Sequence, residues 1–484
     1  MGLFIGRESE LAKLQEAYGK GKAILVYGRR RVGKTTLLEK FSEGKRTLYL
    51  RCIGSTLRVN LDYARSMISS FLGEERRAYS GLLDMTEDLA AICRDGGNLI
   101  VIDEYQYLKK ADGSIDSFIQ HLVDAALKNT TSTLILCGSS VSIMKSTGED
   151  GGSPLYGRFR HIIRLGPLSL EECRAFHPDM PDRDQLMMYL SFGGIPRYHS
   201  EATCSSYREF VVRNCIEDSW IADEVGFLIR SDYPNSEDHE AVLSAISRGS
   251  TNLKEIAEKA GLGTKCGKIL DNLVESGVVA KVNPMLGAPK RPVYCISDSL
   301  MAFYFSLLSF RSDILMYRDP EKAYDVIYPD LRTFMGRRFE FYCQDVLRRE
   351  YPVIEMGKWW MDDPRMDVHE EIDIVARLSI GKFRADLFVE CKNTSRPVGF
   401  PQYDTLKKCA SRFSDRGGQI LMLISEAGFE EDFEEWAGDA GVMLVGPEEL
   451  YGRRPFPEVP LTTKYRPETE PRGVVSKAIY DACE

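Results

Sequence analysis

Short runs of apolar residues, each closed by turn residues, alternate with helical patterns over the first part of the chain. Five of these runs are candidate β-strands: Ala23–Tyr27, Thr47–Cys52, Leu99–Asp103, Thr133–Cys137 and His161–Leu165. Continuous apolar runs of this length are typical of strands that are buried on both faces. Parallel strands need long connections, which are usually helices. The pattern therefore predicts an α/β domain with a parallel five-stranded sheet, followed by a helical segment from Ser169 to about Arg230.

A second pattern lies between about Glu237 and Ser297 and contains three short helical periods followed by two apolar runs. The third period ends at Gly277, and the runs Val278–Val282 and Val293–Ile296 flank a turn that is rich in glycine and proline. Glycine after the last periodic residue is a common end of a helix, and such turns favour a hairpin. Three helices followed by a hairpin is the element order of a winged helix.

The last block of the chain mixes both kinds of period. Its predicted elements, in order, are a helix at 331–350, strands at 353–356, 371–377 and 387–392, a helix at 403–413 and a strand at 420–424. This order is written αβββαβ, and it predicts a small mixed domain with its own sheet.

Composition excludes several classes of protein. The 484 residues are 43% hydrophobic and 28% charged, which is typical of a folded protein with enough core for about three domains. Lys and Arg number 63 against 72 Asp and Glu, so the net charge of −9 gives no overall attraction to nucleic acid or to anionic membranes. The 12 cysteines form no Cys-x-x-Cys pair, and no segment reaches 18 uninterrupted apolar residues. We therefore expect a cytoplasmic protein that does not bind membranes.

The strongest chemical signal is the segment Gly28–Thr35, which lies between the first predicted strand and a predicted helix. It matches the phosphate-binding loop Gly-x-x-x-x-Gly-Lys-Ser/Thr. In such loops backbone N–H groups surround the phosphates, the lysine reaches the β and γ oxygens, and the hydroxyl of the last residue binds Mg²⁺. The predicted nucleotide-binding residues are Gly28, Arg29, Arg30, Arg31, Val32, Gly33, Lys34, Thr35 and Thr36. The position between a strand and a helix argues against a chance glycine-rich turn.

Polar residues follow the other strands of the predicted sheet. Asp103 closes the third strand, where a carboxylate would hold Mg²⁺, and Glu104 would deprotonate the attacking water, which predicts hydrolysis. Ser139 follows the fourth strand and is expected beside the γ-phosphate, unless it only caps a helix. Arg158 precedes the fifth strand and is a candidate to reach the nucleotide of a neighbouring subunit. A salt bridge within its own domain is the alternative for Arg158.

Residues 3–200 resemble the archaeal-type ATPases of the AAA+ class, which are related in layout to origin-recognition ATPases. Besides the phosphate loop, the matching motifs are Phe4-Ile5-Gly6-Arg7-Glu8, Ile102-Asp103-Glu104, Gly138-Ser139-Ser140, Gly157-Arg158 and Gly193-Gly194-Ile195-Pro196. The resemblance implies ATP as the nucleotide, the strand order 5-1-4-3-2, and an adenine pocket formed partly by the segment around Arg7. It also makes a homo-oligomer a candidate assembly, in which Arg158 would act between subunits.

The predicted winged helix carries basic residues. In helix-turn-helix modules the second helix enters the major groove of DNA, with polar and basic residues at its N-terminal end. Here that end is Thr264–Lys268, and the hairpin adds Lys281, Lys290 and Arg291. DNA is therefore a predicted partner through a local basic face, although glutamates in the same module leave open a structural or protein-docking role.

Charged residues converge at two strands of the last block. Residues two apart on a strand point to one face, so Glu390 and Lys392 project together, and Asp373 on the neighbouring strand joins them. Glu340 lies at the margin of the buried stripe of the preceding helix. Glu340, Asp373 and Glu390 are predicted to bind Mg²⁺ or Mn²⁺, with Lys392 positioning the attacking water.

This block resembles the PD-(D/E)XK nuclease superfamily and the domain of unknown function that often follows archaeal-type ATPases. Asp373, Glu390 and Lys392 match the core motif of the superfamily, and Glu340 matches its helical glutamate. Glu371-Ile372 stands where the motif has a proline before Asp373. The resemblance implies metal-dependent DNA cleavage, and an ion pair on an inactive fold is the alternative.

These motifs divide the chain into six predicted segments. They are a P-loop ATPase core at 1–167, a helical lid at 168–235, a winged helix at 236–298, a helical connector at 299–329, a nuclease-like domain at 330–450 and a tail at 451–484. The predicted function is a magnesium-dependent ATPase that couples nucleotide state to DNA binding and, if the last domain is active, to DNA cleavage. The alternative is a nucleotide-switched regulator that binds DNA or protein through an inactive nuclease fold.

Overall fold

The computed structural model describes most of the chain. The described residues are 4–200, 204–217, 220–233, 235–285, 292–311, 319–363, 368–381, 383–413, 418–460 and 466–467. The chain divides into two compact units, of which the first comprises Met1–Glu240 and Lys268–Val278 and the second Ala241–Gly267 and Val279–Glu484. Within the described residues, no helix has the length and apolar character needed to cross a membrane.

A five-stranded sheet forms the centre of the first unit. Its strands are β1 (Lys22–Tyr27), β2 (Thr47–Arg51), β3 (Leu99–Asp103), β4 (Thr133–Gly138) and β5 (Phe159–Arg164). All neighbouring strands are parallel, in the order β2-β3-β4-β1-β5. The central strands β3 and β4 are buried along their whole length, as their continuous apolar runs predict. The predicted α/β class, strand positions and strand order are confirmed.

Helices connect these strands and continue beyond the sheet. They are α1 (Glu8–Ala17), α2 (Lys34–Ser42), α3 (Leu57–Leu72), α4 (Leu82–Asp95), α5 (Tyr105–Ala111), α6 (Ile115–Leu122), α7 (Val141–Glu149), α8 (Leu170–Arg174), α9 (Asp182–Phe192), α10 (Pro196–Ser200), α11 (Tyr207–Phe210) and α12 (Trp220–Asp232). A hydrophobic core between sheet and helices includes Leu25, Leu89 and Ile119, all fully buried. Helices α8 to α12 confirm the predicted helical segment.

Three helices and a two-stranded antiparallel sheet follow. They are α13 (Ser236–Ser247), α14 (Leu253–Ala260), α15 (Cys266–Glu275), β6 (Val279–Val282) and β7 (Val293–Ile296). This is the predicted order of elements, and β6 differs from its predicted start by one residue. Lys290 and Arg291, which were predicted to extend the basic face, lie outside the described residues. The next helix is α16 (Ser299–Phe303), which runs into a π-helical turn at Tyr304–Leu308.

The second unit contains a mixed sheet. Its elements are α17 (Pro320–Glu350), β8 (Val353–Asp363), β9 (Val368–Ile380), β10 (Phe383–Lys392), α18 (Phe400–Ala410), β11 (Gln419–Ser425), α19 (Glu431–Ala440), β12 (Met443–Val445), α20 (Pro447–Leu450) and β13 (Arg466–Pro467). The strand order is β12-β11-β10-β9-β8, with β13 also pairing with β10. β8, β9 and β10 are antiparallel neighbours, whereas β10, β11 and β12 are parallel. The predicted order αβββαβ is present and is extended by α19 and β12.

Several elements of this unit are longer than predicted. Helix α17 begins at Pro320 rather than near Leu331, and it contains Pro329 in its interior. A proline inside a helix removes one backbone donor and disfavours the helical turn that precedes it. Buried Tyr324 and Ile327 supply packing that sustains the first turns in spite of the proline. Strands β8 and β9 likewise continue as a long hairpin beyond their predicted ends.

Candidate functional site

The phosphate loop lies between the end of β1 and the start of α2. Gly33 caps α2 with a φ of 94°, in the left-handed region that favours glycine. Gly28 has a different reason to be glycine, because a Cβ there would lie 2.3 Å from the carbonyl oxygen of Leu165. The two glycines of the motif are therefore required for different reasons. Gly33 adopts the left-handed turn into α2, and Gly28 allows the loop to pass close to Leu165, the residue after β5.

Lys34 is buried within this loop, with 5% of its surface exposed. Its ammonium group donates to the carbonyl oxygens of Gly28 and Arg29, at 2.9 Å each. Burial lowers the pKa of Lys34 below its usual value, an effect that the charges of Glu104 and Asp103 oppose. The loop thus fixes the ammonium group with neutral partners and leaves its charge available to an anion.

Thr35 and Asp103 lie together where α2 begins and β3 ends. Thr35 Oγ1 donates to Asp103 Oδ2 at 3.0 Å, and the Tyr49 hydroxyl donates to the same oxygen at 2.9 Å. Asp103 is fully buried, and its Oδ1 accepts from the Glu104 backbone N–H at 2.9 Å. Hydroxyl and carboxylate oxygens are ligands that Mg²⁺ takes beside phosphate oxygens, so Thr35 and Asp103 fit this ion. The predicted Thr36 is exposed in the first turn of α2.

Glu104 and Ser139, which follow the neighbouring strands β3 and β4, lie together. Ser139 Oγ donates to Glu104 Oε2 at 2.7 Å, and Gln106 Nε2 donates to the same oxygen. Gln106 is buried and also bonds Ser139 Oγ at 2.9 Å. Sequence analysis missed both Gln106 and Tyr49, because a polar residue in a helix or strand carries no motif by itself.

Two arginines of the loop contact helix α12, which belongs to the predicted lid. Arg30 Nε lies 2.9 Å from Asp232 Oδ1, and the Arg31 guanidinium lies 2.6 Å from Glu224 Oε2. Both guanidinium groups also lie over the ring of Phe227, at 6.0 and 5.6 Å from its centroid. Ion pairs therefore join the phosphate loop to α12.

Arg7 and Arg158, which were predicted near nucleotide, have partners in the protein. Arg7 donates to the carbonyl oxygens of Val32 at 3.1 Å and Gly166 at 2.7 Å, so its side chain braces the phosphate loop. Arg158 forms an ion pair with Asp124 at 2.9 Å. This is the intradomain salt bridge that the sequence left open, and a role between subunits stays a prediction.

The second unit brings together six charged side chains of α17, β8, β9 and β10. They are Glu340, Lys358, Glu371, Asp373, Glu390 and Lys392. Lys358 Nζ lies 3.1 Å from Glu340 Oε2 and also contacts the Glu371 carboxylate. The Lys392 ammonium group contacts the Glu390 carboxylate. We call this group the carboxylate cluster.

Partial burial sets the charge state of the carboxylate cluster. It raises the pKa of Glu340 to about 7, an effect that Lys358 opposes. Burial also raises the pKa of Asp373, whose Oδ2 accepts the Cys391 backbone N–H at 2.9 Å. The pKa of Glu390 is raised by burial and by the charge of Asp373. Carboxylates crowded in this way hold protons more tightly than they would in water.

The predicted metal shell of Glu340, Asp373 and Glu390 is not assembled. Over the described ranges, no three His, Cys, Asp or Glu side chains are placed to hold a metal ion. Lysine ammonium groups contact two of these carboxylates instead. Lys358 on β8 pairs with Glu340, and Lys392 on β10 pairs with Glu390. Sequence analysis did not include Lys358, because the predicted strand ended before it.

Comparison with known proteins places the first unit in a family. Residues 4–198 match a family described as an ATPase domain predominantly from Archaea. An uncharacterized ATP-binding protein of Methanocaldococcus jannaschii is 48% identical over 46 residues, which are 9% of this chain and 78% of that protein. The chain belongs to this archaeal ATPase family. The protein is thus an ATPase, and ATP is its nucleotide.

The similarity of this archaeal-type ATPase to other proteins extends beyond residue 198. An uncharacterized protein of the same organism is 28% identical over 408 residues, which are 81% of this chain and 87% of that protein. Residues 304–401 match a family described as archaeal and bacterial proteins of unknown function. Among solved structures, a Walker-type ATPase of Pyrococcus abyssi is 21% identical, with a TM-score of 0.47. The match covers 62% of this chain and 96% of the Pyrococcus abyssi chain. The Aeropyrum pernix ORC2 protein is 14% identical, with a TM-score of 0.41, over 68% of this chain and 94% of its own.

Proposed function

We propose that the ATPase reaction takes place at the ends of β1 and β3 and that the nucleotide state controls DNA binding. Lys34 binds the β and γ phosphates, and Thr35 and Asp103 hold Mg²⁺. The bound ion supplies positive charge against the phosphate oxygens. The observation that carries this proposal is the 3.0 Å contact between Thr35 and Asp103 next to a lysine whose own partners are neutral carbonyls.

Glu104 acts as the general base in this proposal. It follows Asp103 directly, and its carboxylate accepts a proton from the attacking water. Glu104→Gln keeps the shape of the side chain but removes the base. We expect this variant to lose hydrolysis by about 100-fold or more while it binds ATP as tightly as wild type. Equal turnover by the variant in a phosphate-release assay would remove Glu104 from this role.

The lid transmits the nucleotide state. Arg30 and Arg31 lie in the phosphate loop, and their partners Asp232 and Glu224 lie on α12. A bound triphosphate competes with these carboxylates for the two guanidinium groups, because phosphate oxygens accept the same hydrogen bonds. Nucleotide binding therefore changes the contacts that hold α12. A second route, through Arg158 in a homo-oligomer, requires that arginine to leave Asp124.

DNA binds to the segment 236–298, which we propose to be a winged helix. Lys265 precedes α15 and Lys268 lies in its first turn, and both are exposed, as is Lys281 on β6. In this proposal α14 and α15 form a helix-turn-helix, of which α15 is the second helix. Exposed lysines at the start of that second helix contact DNA phosphates.

The test for DNA binding measures affinity for duplex DNA as a function of salt concentration. The Lys265→Gln/Lys268→Gln protein should bind about 10-fold more weakly at physiological salt, with a salt slope that is smaller by about 1 to 2. Lys254→Gln, a change at an exposed lysine of α14, is the matched control and should bind as wild type does. The affinity for duplex DNA should differ by at least about 5-fold between the protein with ATPγS and the protein with ADP. DNA binding that does not depend on these lysines would remove the segment 236–298 as the DNA site, and a complete lack of salt-sensitive binding would favour a signalling ATPase that does not act on DNA.

A second candidate function is metal-dependent DNA cleavage by the second unit, which we propose to have a nuclease-like fold. The convergence of Asp373, Glu390 and Lys392 on β9 and β10 favours it. Cleavage would require Mg²⁺ or Mn²⁺ to displace lysine from the carboxylates.

Metal titration of the full chain by calorimetry, with Asp373→Asn as control, tests whether such a site can form. Nicking assays on duplex, branched and single-stranded DNA then compare wild type with Lys392→Ala. Metal-dependent nicking that Lys392→Ala abolishes would support cleavage. Its absence on every substrate would leave a domain that recognises DNA or a protein partner without cutting.

A further inference from the structure

The side chain of Gln106 links the ends of β3 and β4. It lies in the first turn of α5, two residues after Glu104, and is 1% exposed. Its Nε2 donates to Glu104 Oε2 and to Ser139 Oγ, the latter at 2.9 Å. Its Oε1 accepts the backbone N–H of Ser139 at 3.2 Å. A glutamine amide has two donor hydrogens and one acceptor oxygen, so each hydrogen serves one of the two residues.

The surroundings permit this amide only one orientation. If its nitrogen and oxygen were exchanged, the oxygen would face the Glu104 carboxylate and the NH₂ group would face the Ser139 N–H. A Cβ on Gly138 would lie 2.4 Å from Gln106 Oε1 and 2.4 Å from Met144 Sδ. The absence of a side chain at Gly138 therefore provides the space that the amide occupies.

The hydroxyl of Ser139 is the exchangeable member of this group. A serine hydroxyl carries a single hydrogen, which here is donated to Glu104 Oε2 at 2.7 Å. The same hydrogen cannot be donated to a γ-phosphate oxygen at the same time. When the hydroxyl turns to a phosphate, its oxygen still accepts from Gln106, so the amide keeps both side chains in place during the exchange.

We infer that Gln106 is a positioning residue for ATP hydrolysis and acts through Glu104 and Ser139. Without a γ-phosphate, Ser139 and Gln106 together hold one oxygen of Glu104. When the γ-phosphate takes the Ser139 hydrogen, Gln106 alone orients the carboxylate toward water. The water oxygen then forms a bond to the γ-phosphorus, and one proton of the water passes to Glu104. The bond between the γ-phosphorus and the oxygen that bridges it to the β-phosphate breaks, and its electron pair stays on ADP. The inference rests on the roles proposed above for Glu104 and Ser139.

A double-mutant cycle on the full-length protein tests this inference. Four proteins are compared: wild type, Gln106→Ala, Glu104→Gln and the double variant, with kcat, KM for MgATP and ADP affinity by calorimetry. Gln106→Ala should lower kcat about 10- to 100-fold while KM and ADP affinity change by less than about 3-fold. In the Glu104→Gln background the same change should lower the residual rate by less than about 2-fold, because the base it orients is gone.

Gln185→Ala is the matched control, since Gln185 is also a buried glutamine but donates to the carbonyl oxygens of His177 and Met180. It should lower the melting temperature without lowering kcat. If Gln106→Ala folds poorly, Gln106→Glu replaces it, because it keeps the size of the side chain and sets a carboxylate against Glu104. The same loss of kcat is expected.

The outcomes separate two kinds of failure. An equal loss of rate from the Gln106 change in both backgrounds would mean that Gln106 only supports the fold, and the inference would be wrong. Unchanged hydrolysis by Glu104→Gln would instead overturn the proposed base.

Discussion

The nucleotide pocket and the carboxylate cluster both place lysines near carboxylates, but the partners of those lysines differ. Lys34 donates to the backbone carbonyls of Gly28 and Arg29. Lys358 and Lys392 contact carboxylates. A carbonyl oxygen accepts a hydrogen bond from an ammonium group and leaves its charge uncompensated. A carboxylate accepts the hydrogen bond and also compensates the charge. The charge of Lys34 in the nucleotide pocket therefore stays available to a bound anion. The charges of the lysines in the carboxylate cluster are already compensated by their carboxylate partners.

The largest expected effect is the loss of the charge that the pocket keeps available. Lys34→Ala should weaken ATP binding and lower kcat/KM, together by about 100-fold or more, because no other group replaces the buried ammonium. Calorimetry with ATP and a phosphate-release assay measure the two effects. Lys40→Ala is the control, since that lysine lies on the same helix but is exposed and paired with Glu43 at 2.8 Å. Wild-type affinity in Lys34→Ala would break the comparison.

Acid should destabilise the first unit. His177 Nε2 lies 3.0 Å from His199 Nδ1, and His199 Nε2 lies 2.7 Å from the Gly193 carbonyl oxygen. Burial lowers the pKa of His199 from 6.5 to about 4. Between these values the unfolded chain binds more protons than the native one, so stability falls as pH falls. The loss should reach about 3 kcal/mol by pH 4. Hydrogen exchange of α9 and α10 from pH 7 to pH 4 measures it, and His199→Gln should flatten the dependence.

Removal of one lysine should expose the imbalance of the carboxylate cluster. Lys358→Met leaves Glu340 and Glu371 without their cation and should cost about 2 kcal/mol, since both side chains remain partly buried. Urea unfolding followed by hydrogen exchange in β8 and β9 measures the loss. Lys254→Met changes an exposed lysine and should cost less than about 0.5 kcal/mol. Adding Glu340→Gln to Lys358→Met should recover part of the loss, and no recovery would contradict the assigned pairing.

The smallest effect is a pH dependence of opposite sign in the carboxylate cluster. Partial burial raises the pKa of Glu340 from 4.5 to about 7. The native state therefore binds more protons than the unfolded chain between these values, and stability falls as pH rises. A change of about 1 kcal/mol is expected from pH 5 to pH 7, after allowance for the exposed part of this side chain. Glu340→Gln should remove it, as read from hydrogen exchange in β9 and β10.

Local patterns predicted the strands and the residues at their ends. Asp103 follows an apolar run directly, and Lys34 and Thr35 belong to the loop motif that follows another such run, so a single sequence is enough to place them at one edge of the sheet. The strand order came from the family resemblance, because runs of similar length give no neighbour order. Likewise, the spacing of Glu390 and Lys392 on one strand already places both on one face.

Partners that are distant in sequence could not be predicted. Arg30 meets Asp232 across 202 residues, and nothing near either residue signals the other. Gln106 sits in a short helix without a motif. Lys358, which contacts Glu371, fell outside the predicted β8. The sequence patterns thus predicted candidate ligand-binding residues, but not the residues whose side chains hold those candidates in position.

The close approach of Gly28 to Leu165 also limits how this loop can vary. Any side chain at Gly28 would push against the backbone just after β5, whereas Arg30 and Arg31 extend toward α12. Random mutagenesis of the loop followed by selection for function should therefore recover only glycine at position 28 and basic residues at positions 30 and 31, whose partners on α12 are carboxylates. The loop is thus constrained by backbone space at its first residue and by charge at the two arginines that face α12.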